Sequence, residues 1–279
     1  MRELHVRWVE EAVGELFLEC CRRPDPALPG LLREALARER SPMGREVLSQ
    51  LLDNIDAAAR TGLPLCQDTG MAVVFIDAGQ DVHFTGGSLE DAVNAGVRRA
   101  YREGFFRKSV LSPLSRENTG DNTPAVIHTH IVPGDAVRIR VAPKGFGSEN
   151  MSRIAMLTPS AGREGVLSFI VDAVRSAGSN PCPPVVVGAA VGGTFEQCAL
   201  MAKEALLRPL GRPSDDPELA AIERELLECI NALGIGPMGL GGDTTALAVH
   251  IAAAPTHIAG LPVAVNIQCH CVRHGETLL

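Results

Sequence analysis

Three cysteines lie in loops whose polar neighbours suit metal binding. Cys66 belongs to the segment PLCQDTG, Cys182 to NPCPP and Cys269 to NIQCHC, each where a loop meets a strand. Three thiolates from distant parts of a chain can hold one zinc ion or one [4Fe–4S] cluster, and such a cluster keeps one iron open to substrate. An open iron polarises a hydroxyl or carboxylate as a Lewis acid. Their spacing matches no local metal motif, so buried structural thiols are the alternative interpretation.

The remaining cysteines are expected to be structural. No CxxC pair occurs, so neither a zinc ribbon nor a thioredoxin-type site is indicated. Cys20 and Cys21 close the first predicted helix. Cys198 and Cys229 lie within later helical patterns, which predicts core positions for these two. Cys271 lies two residues after Cys269 and is a rival to it as a metal ligand.

Charged side chains near these loops add candidates for proton transfer and anion binding. Asp68 follows Cys66 by two residues and could act as a base. Arg116 lies in the polar segment RENTGDNTP, and a guanidinium can bind a carboxylate through two parallel hydrogen bonds. His257 follows a strand. For each of the three, the alternative is a surface turn or a structural histidine.

Three glycine-rich segments could bind anions, and two of them lack the required context. Residues 234–239 match GxGxxG, but they follow a helix and lead into a strand, the reverse of a dinucleotide site. Residues 188–193 follow a strand without the GK[ST] of a phosphate loop, which favours close packing of strand and helix. The third segment, 143–150, follows a strand and mixes Lys, Ser, Glu and Asn with glycine, which fits an anion site or a polar turn equally well.

Helical and strand patterns alternate along the chain and would position these residues. Helices are predicted at 3–22, from Ser41-Pro42 to Gly62, from Ser88 to about Phe105, and at 162–177, 195–207 and 217–233. Strands are predicted in MAVVFIDAG, AVIHTHIV, DAVRIRVAP, VVVGAAVGG, TALAVHIA and VAVNIQC. The mixture predicts a mixed α/β fold, in which a helical N-terminal layer (1–62) packs on a mixed β-sheet core (63–279) in a single large domain.

Composition excludes several classes of function. The chain has 279 residues, 46% of them hydrophobic, which is enough for a sizeable core. A net charge of −7, no basic run and only 4% aromatic residues argue against nucleic-acid and anionic-lipid partners. No apolar stretch is long enough to span a membrane, and the charged N-terminus does not fit a secretory signal. We expect a cytoplasmic protein.

Taken in order, the motifs resemble one family. They are PLCQDTG, RENTGDNTP, VPGD, PKGFGSENMS, NPCPPVVVGAAVGGTFE, GLGGDTTALAVHI and NIQCH. This series is similar to the iron–sulphur-dependent (class I) fumarate hydratases, which include the L-tartrate dehydratases. The resemblance is to the α subunit of the two-subunit members and covers nearly the whole chain.

The resemblance implies specific roles for residues of this chain. The ligands of a [4Fe–4S] cluster would be Cys66, Cys182 and Cys269. The catalytic residues would be Asp68 and His257. The substrate-binding residues would be Gln67, Arg116, Gly147 and Asn150.

The resemblance also implies a partner and a reaction. Single-chain members continue into a second domain that adds active-site groups, whereas this sequence stops at Leu279. A separate β subunit would therefore complete the active site, with an (αβ)2 assembly expected. The implied activity is a hydro-lyase that interconverts fumarate and malate, a reaction of the tricarboxylic acid cycle, with L-tartrate dehydration as the alternative. A non-catalytic, metal-bearing structural subunit is the alternative of another class.

Overall fold

A computed structural model describes all residues, Met1–Leu279, which pack into two compact units. Unit 1 comprises Met1–Asp25, Ile55–Phe146 and Arg273–Leu279. Unit 2 comprises Pro26–Asn54 and Gly147–Val272. Each β-sheet lies within one unit. No helix combines the length and apolar character that crossing a membrane requires.

Unit 1 is built on a four-stranded mixed sheet in the order β10-β5-β2-β4, beside a small parallel pair, β1-β3. Its strands are β1 (Arg2–His5), β2 (Met71–Gly79), β3 (Val82–Thr85), β4 (Val126–Val132), β5 (Val137–Lys144) and β10 (Gly275–Leu278). Its complete helices are α1 (Arg7–Arg22) and α4 (Leu89–Glu103). The central strand β2 runs parallel to β4 and antiparallel to β5.

The core of unit 1 lies between this sheet and helices α1 and α4. Val137, Ile139 and Val141 of β5 are fully buried against the helices, whereas Arg138 between them is exposed. This alternation is the pattern of a strand with one buried face, as the sequence predicts.

Unit 2 has a second mixed sheet, in the order β6-β9-β7-β8. Its strands are β6 (Arg153–Leu157), β7 (Val185–Gly193), β8 (Ala246–Thr256) and β9 (Leu261–Gln268). Its helices are α2 (Leu28–Arg38), the first part of α3 (Pro42–Thr61), α6 (Gly162–Ala177), α7 (Phe195–Ala205) and α8 (Pro217–Asn231). The short helix α5 (Phe146–Glu149) begins on the last residue of unit 1.

Helices cover both faces of the unit 2 sheet. Buried side chains of α6 and α8, including Ile170 and Ile230, pack against β7, β8 and β9 on one face. Helix α7 packs on the other face, where its Ala202 approaches Gly188 of β7. A Cβ at position 188 would lie 2.3 Å from the Ala202 carbonyl oxygen, so this glycine serves close strand–helix packing, as predicted.

The structure confirms the predicted mixed α/β fold and nearly all of the predicted elements. The helix capped by Ser88 forms as α4, and the Ser88 hydroxyl accepts a hydrogen bond from the Asp91 N–H. The predicted helix over 3–22 is wrong at its start, because Arg2–His5 form strand β1 in parallel pairing with β3. A four-residue strand carries too little periodicity to be recognised in sequence. The division into a 1–62 layer and a 63–279 core stays a prediction.

Candidate active-site loops and cysteine positions

The segment 64–70, here called the Asp68 loop, connects α3 to β2 in unit 1 and is bound by hydrogen bonds to the rest of that unit. The Leu65 N–H donates to the Cys21 carbonyl (2.9 Å), and the Thr69 hydroxyl donates to the Arg107 carbonyl (2.9 Å). Cys66 is half-buried and Gln67 is exposed. The loop therefore presents a thiol and an amide from a fixed backbone.

Both carboxylate oxygens of Asp68 accept backbone hydrogen bonds. Oδ1 accepts from the Gly70 N–H (3.0 Å) and Oδ2 from the Phe146 N–H (2.9 Å). The buried guanidinium of Arg273 donates to the Asp68 carbonyl oxygen (2.9 Å). A Cβ on residue 145 would lie 3.0 Å from Oδ2, so glycine leaves room for the carboxylate. These contacts fix the orientation of the Asp68 side chain.

Sequence reasoning did not identify the residues that anchor the end of this loop. The Tyr101 hydroxyl lies 2.8 Å from the carbonyl oxygens of both Thr69 and Gly70. Asn122 is fully buried, donates to the Gly70 carbonyl (3.1 Å) and accepts from the Ser109 N–H (2.7 Å). The polar segment that contains Asn122 resembled a surface turn, and only its tertiary contacts distinguish it from one.

Arg116 lies in a different kind of loop. Residues 110–119, here called the Arg116 hairpin, fold back on themselves, with Leu111 bridged to Asn118. The Ser112 N–H donates to the Glu117 carbonyl (2.8 Å), and the Arg116 N–H donates to the Ser112 carbonyl (3.0 Å). Arg116 itself is exposed, with φ of +60°. The hairpin thus presents a guanidinium to solvent.

Unit 2 brings Cys182 and Cys269 to the same end of its sheet. In the antiparallel pairing of β7 with β9, Val186 lies opposite Gln268, so the chain before β7 and the chain after β9 are neighbours. The Cys182 carbonyl accepts hydrogen bonds from the His270 N–H (3.4 Å) and from His270 Nδ1 (3.1 Å). Two of the three predicted ligands therefore lie in directly bonded segments.

His257 lies at the opposite end of that sheet. Strand β8 runs parallel to β7 and ends at Thr256, opposite Gly193, so His257 enters the turn towards β9. A nine-residue strand spans roughly 26 Å at about 3.3 Å per step. His257 is exposed, and its Nδ1 accepts only a local hydrogen bond from the Ala259 N–H (3.2 Å). Within the sheet, the structure does not bring His257 near Cys182 or Cys269.

The glycine-rich segment after β5 forms the short helix α5. Gly147 and Asn150 are both exposed in unit 2. A Cβ at position 147 would lie 3.6 Å from the Asn180 carbonyl oxygen, an ordinary contact, so packing does not require glycine there. Glu149 accepts from Lys203 Nζ (2.5 Å) and from the Asn266 amide (3.0 Å), which ties the segment to α7 and β9. Substrate binding by Gly147 and Asn150 stays a prediction.

Burial separates the cysteines into two groups. Burial raises the pKa of the Cys21 thiol to about 12 and that of Cys198 to about 11, and it raises the pKa of Cys20 as well. A high pKa disfavours the thiolate that binds metals. Cys66 and Cys269 are half-buried and Cys182 is exposed, whereas Cys271 is buried, which favours Cys269 over its rival.

The prediction that Cys229 lies in the core is wrong. Cys229 is exposed on α8, because the buried side of that helix runs through Leu226 and Ile230 and Cys229 points away from it. Cys229 lies within a helix and is not part of the predicted ligand set.

The donor chemistry of Cys66, Cys182 and Cys269 fits an iron–sulphur cluster. All three are thiols at loop positions, and none of them is fully buried. Within either unit, no group of three or more His, Cys, Asp or Glu side chains is arranged to hold a metal ion alone. The fit therefore rests on accessible thiols and on the Cys182–His270 contact.

The segment GIGPMG at 234–239 is not arranged as a dinucleotide site. It follows α8, forms a 3₁₀ turn at Pro237–Gly239 and leads into β8, as the sequence predicts. No helix begins there to direct amides at a pyrophosphate.

Comparison with known sequences identifies the family. Residues 10–277 match the family described as fumarate hydratase (Fumerase). A protein of Methanocaldococcus jannaschii, provisionally named the alpha subunit of an L(+)-tartrate dehydratase, is 41% identical over 273 residues, 96% of each chain. The L(+)-tartrate dehydratase subunit alpha of Escherichia coli K12 is 33% identical over 262 residues, covering 92% of this chain and 86% of the relative. The chain therefore belongs to the fumarate hydratase family of hydro-lyases.

Proposed function

We propose that the chain is the catalytic α subunit of an iron–sulphur-dependent hydro-lyase that acts on a C4 dicarboxylate. The observation that carries the proposal is the pair of accessible thiols, Cys182 and Cys269, held at one end of the unit 2 sheet by the bonds between Cys182 and His270. A purely structural pair of thiols would be expected inside the core, as Cys198 is.

Two substrates are candidates. The sequence resemblance favours interconversion of fumarate and malate, in which water adds across a carbon–carbon double bond. The names of the relatives favour the dehydration of L-tartrate. Because the relatives are similar over nearly their full length, we place L-tartrate dehydration first and fumarate hydration second. Tartrate carries one more hydroxyl than malate, and polar contacts to that hydroxyl would discriminate between them.

We propose that Cys66, Cys182 and Cys269 hold a [4Fe–4S] cluster. Bound there, the cluster would supply a Lewis acid that polarises the substrate hydroxyl. Cys66 comes from the Asp68 loop, so its backbone is fixed by the Leu65–Cys21 hydrogen bond. Cys182 and Cys269 are fixed by the contacts around His270.

The other predicted residues would bind the substrate and move its proton. Arg116 would hold a carboxylate through paired, charge-assisted hydrogen bonds. Asp68, oriented by two amides, would exchange the proton at the carbon next to the reacting carbon–oxygen bond. Substrate contacts are proposed for Gln67, Gly147 and Asn150.

His257 stays a proposed catalytic residue, although it lies at the end of the unit 2 sheet opposite Cys182 and Cys269. Its exposure leaves the imidazole accessible to another molecule. Loss of turnover in His257→Asn with an unchanged cluster spectrum would support the role, and wild-type kinetics would contradict it.

A separate β subunit would complete the enzyme. The relatives carry the name of an alpha subunit, which implies a second chain. We propose that this partner adds further substrate-binding groups, that the assembly is (αβ)2, and that the enzyme works in the cytoplasm.

One experiment tests the proposal. The chain is co-produced with the proposed β subunit and reconstituted without oxygen. The complex is then analysed for iron and sulphide and assayed with L-tartrate, malate and fumarate. We expect about four iron per α chain and turnover of at least one of these substrates, in the order given above. One zinc per chain and no turnover would instead indicate a structural subunit. Full activity of this chain alone would contradict the two-subunit arrangement.

A further inference from the structure

The glycine-rich stretch between α8 and β8, here called the glycine loop (residues 234–245), is bound by a carboxylate from a distant part of the sequence. Glu39, only 3% exposed, lies just beyond α2 in unit 2. Its Oε1 accepts from the N–H of Asp243 (2.8 Å), and its Oε2 accepts from the N–H of Thr244 (3.0 Å). Oε1 also accepts from the Ser41 N–H (3.1 Å). A buried carboxylate thus satisfies three backbone donors.

The fit between Glu39 and the loop depends on glycine. Gly242 has φ of +140°, and a Cβ there would lie 2.7 Å from Glu39 Oε1. Next to this contact, the Arg40 guanidinium binds both carboxylate oxygens of Asp243, at 2.8 and 2.6 Å. The adjacent residues Glu39 and Arg40 therefore both bind the glycine loop at Asp243.

The other side of the glycine loop meets the turn that carries Cys182. The Met238 N–H donates to the Pro183 carbonyl (2.8 Å). A Cβ on Gly239 would lie 2.2 Å from the Ser179 Cβ, so the two backbones are in close contact. The Cys182 N–H in turn donates to the Ser179 carbonyl (3.0 Å).

The two facing turns both contain a non-glycine residue in the left-handed region. Cys182 has φ of +56° and Met238 has φ of +52°. Such backbone is unfavourable for L residues and persists only where the surroundings impose it. The surroundings here are the Met238–Pro183 bond and the His270 bonds to Cys182. The glycine loop is therefore one of the contacts that hold the Cys182 turn in this conformation.

We propose that Glu39 is a positioning residue for Cys182. Its carboxylate fixes the backbone at Asp243 and Thr244, and the glycine loop then holds the turn from Ser179 to Pro183 that presents the thiol. The stretch that looks like a nucleotide motif is thereby a support for a metal ligand. The inference rests on the proposed function only in taking Cys182 as a cluster ligand.

Hydrogen–deuterium exchange of the full chain, prepared without metal, tests the structural part. Glu39→Gln keeps the size of the side chain but replaces one acceptor oxygen by an N–H₂ donor. We expect exchange to become at least about tenfold faster both in a peptide covering 236–245 and in one covering 179–185. Glu39→Ala should have a larger effect. If Glu39→Ala does not fold, the result for Glu39→Gln decides the question.

Glu223→Gln is the matched control. Glu223 is also a buried carboxylate of unit 2 and accepts backbone hydrogen bonds from Ser214 and Ile251, but it does not contact the glycine loop. This variant should leave exchange at 179–185 unchanged. The proposal is overturned if Glu39→Gln leaves the 179–185 peptide at the wild-type rate, or if Glu223→Gln accelerates it equally.

A second measurement connects the support to the cluster. The reconstituted complex is treated with an iron chelator, and the loss of visible absorbance is followed. We expect Glu39→Gln to lose its cluster at least about fivefold faster than wild type and Glu223→Gln to match wild type. Equal rates in Glu39→Gln and wild type overturn the positioning role. If the wild-type complex acquires no cluster, the proposed function fails, while the exchange experiment still decides whether Glu39 holds the Cys182 turn.

Discussion

The Asp68 loop and the Arg116 hairpin, both in unit 1, present charged side chains in opposite ways. The Asp68 loop is bonded to α1, α4 and the segment after β5, and both oxygens of its carboxylate are occupied by amides. The Arg116 hairpin is bonded chiefly within itself, and Leu114 at its tip is 93% exposed. One loop fixes a short side chain, and the other extends a long one into solvent.

This difference corresponds to what each proposed role requires. A proton-transfer group must lie within hydrogen-bond distance of the reacting atom, so a short carboxylate benefits from a rigid backbone. A guanidinium that clamps a carboxylate has a long side chain that can adjust to the substrate. Substitutions in the rigid loop should therefore affect the chemical step, and those in the hairpin should affect substrate binding.

Loss of a cluster ligand should have the largest effect. One proposed ligand, Cys66, lies in the Asp68 loop. Cys66→Ser, Cys182→Ser and Cys269→Ser should each abolish a stable cluster, because a serine hydroxyl is a poor replacement for a thiolate ligand. Iron content and visible absorbance after anaerobic reconstitution measure the effect, and activity should fall to background.

Cys198→Ser is the matched control for these variants. The Cys198 thiol is buried and donates to the Ala190 carbonyl (3.4 Å), a bond that a serine hydroxyl can replace. This variant should keep its cluster. A cluster that survives Cys269→Ser but not Cys271→Ser would reassign the third ligand.

Asp68→Asn should have the next largest effect. The amide keeps the shape of the side chain but removes the base, so kcat should fall by about 10²- to 10⁴-fold with a much smaller change in KM. Steady-state kinetics of the complex measure this, with the cluster spectrum as a check on integrity. An increase in KM at constant kcat would place Asp68 with the substrate-binding residues and remove the contrast with Arg116.

Most of the fold could be predicted from the sequence, because long periodic segments determine its elements. The strand MAVVFIDAG and the helix after Ser88 form as the pattern indicates. The strands that escaped prediction, β1, β3, β6 and β10, have four or five residues and exist through pairing with partners elsewhere in the chain. Tertiary pairing of that kind leaves little local signal.

The residues of the candidate site likewise fall into those that the sequence reveals and those that only the fold reveals. Asp68, Arg116 and the loop cysteines stand out because polar residues among glycine and proline are conspicuous in sequence. Arg273 and Glu39, which support the loops, do not stand out, since each acts through contacts that only the folded chain creates. The distance of His257 from Cys182 follows from the parallel pairing of β7 with β8, which residue types alone do not determine.

Substitution of Arg116 tests the proposed binding role of the exposed hairpin. Arg116→Ala should raise KM strongly, with a cost in kcat/KM on the order of 2–5 kcal/mol if the substrate carboxylate is left desolvated. Arg116→Lys should restore only part of it, because an ammonium group lacks the planar fork. An unchanged KM in Arg116→Ala would exclude the carboxylate clamp.

Arg116→Gly separates binding from backbone strain in the hairpin. Arg116 has φ of +60°, which glycine adopts without the steric cost that alanine and arginine share. Arg116→Gly should lose substrate binding as Arg116→Ala does, yet its melting temperature should be equal or higher. A lower melting temperature for the glycine variant would show that the side chain supports the hairpin.

The smallest effect concerns the segment just after the hairpin, where Asp121 binds Arg98 of α4 (2.7 Å). Burial acts to raise the pKa of Asp121, but hydrogen bonds from Arg98 and Thr123 outweigh it and lower the pKa to about 2, from 3.8. Because the folded-state pKa is depressed, this ion pair stabilises the protein fully above about pH 4, and the stabilisation is lost as the pH falls towards 2.

Asp121→Asn should therefore lower the free energy of unfolding at pH 7 by on the order of 1 kcal/mol, since solvent screens a partly exposed pair. Urea unfolding of wild type and variant at pH 7, 4 and 3 measures the difference, which should shrink as the pH falls. Asp215→Asn, at an exposed pair with Arg212, should change the unfolding free energy by less than about 0.5 kcal/mol. If Asp121→Asn changes the unfolding free energy as little as Asp215→Asn does, at every pH, the Asp121–Arg98 ion pair does not anchor the base of the hairpin. The hairpin would then lack the kind of anchoring contact that fixes the Asp68 loop.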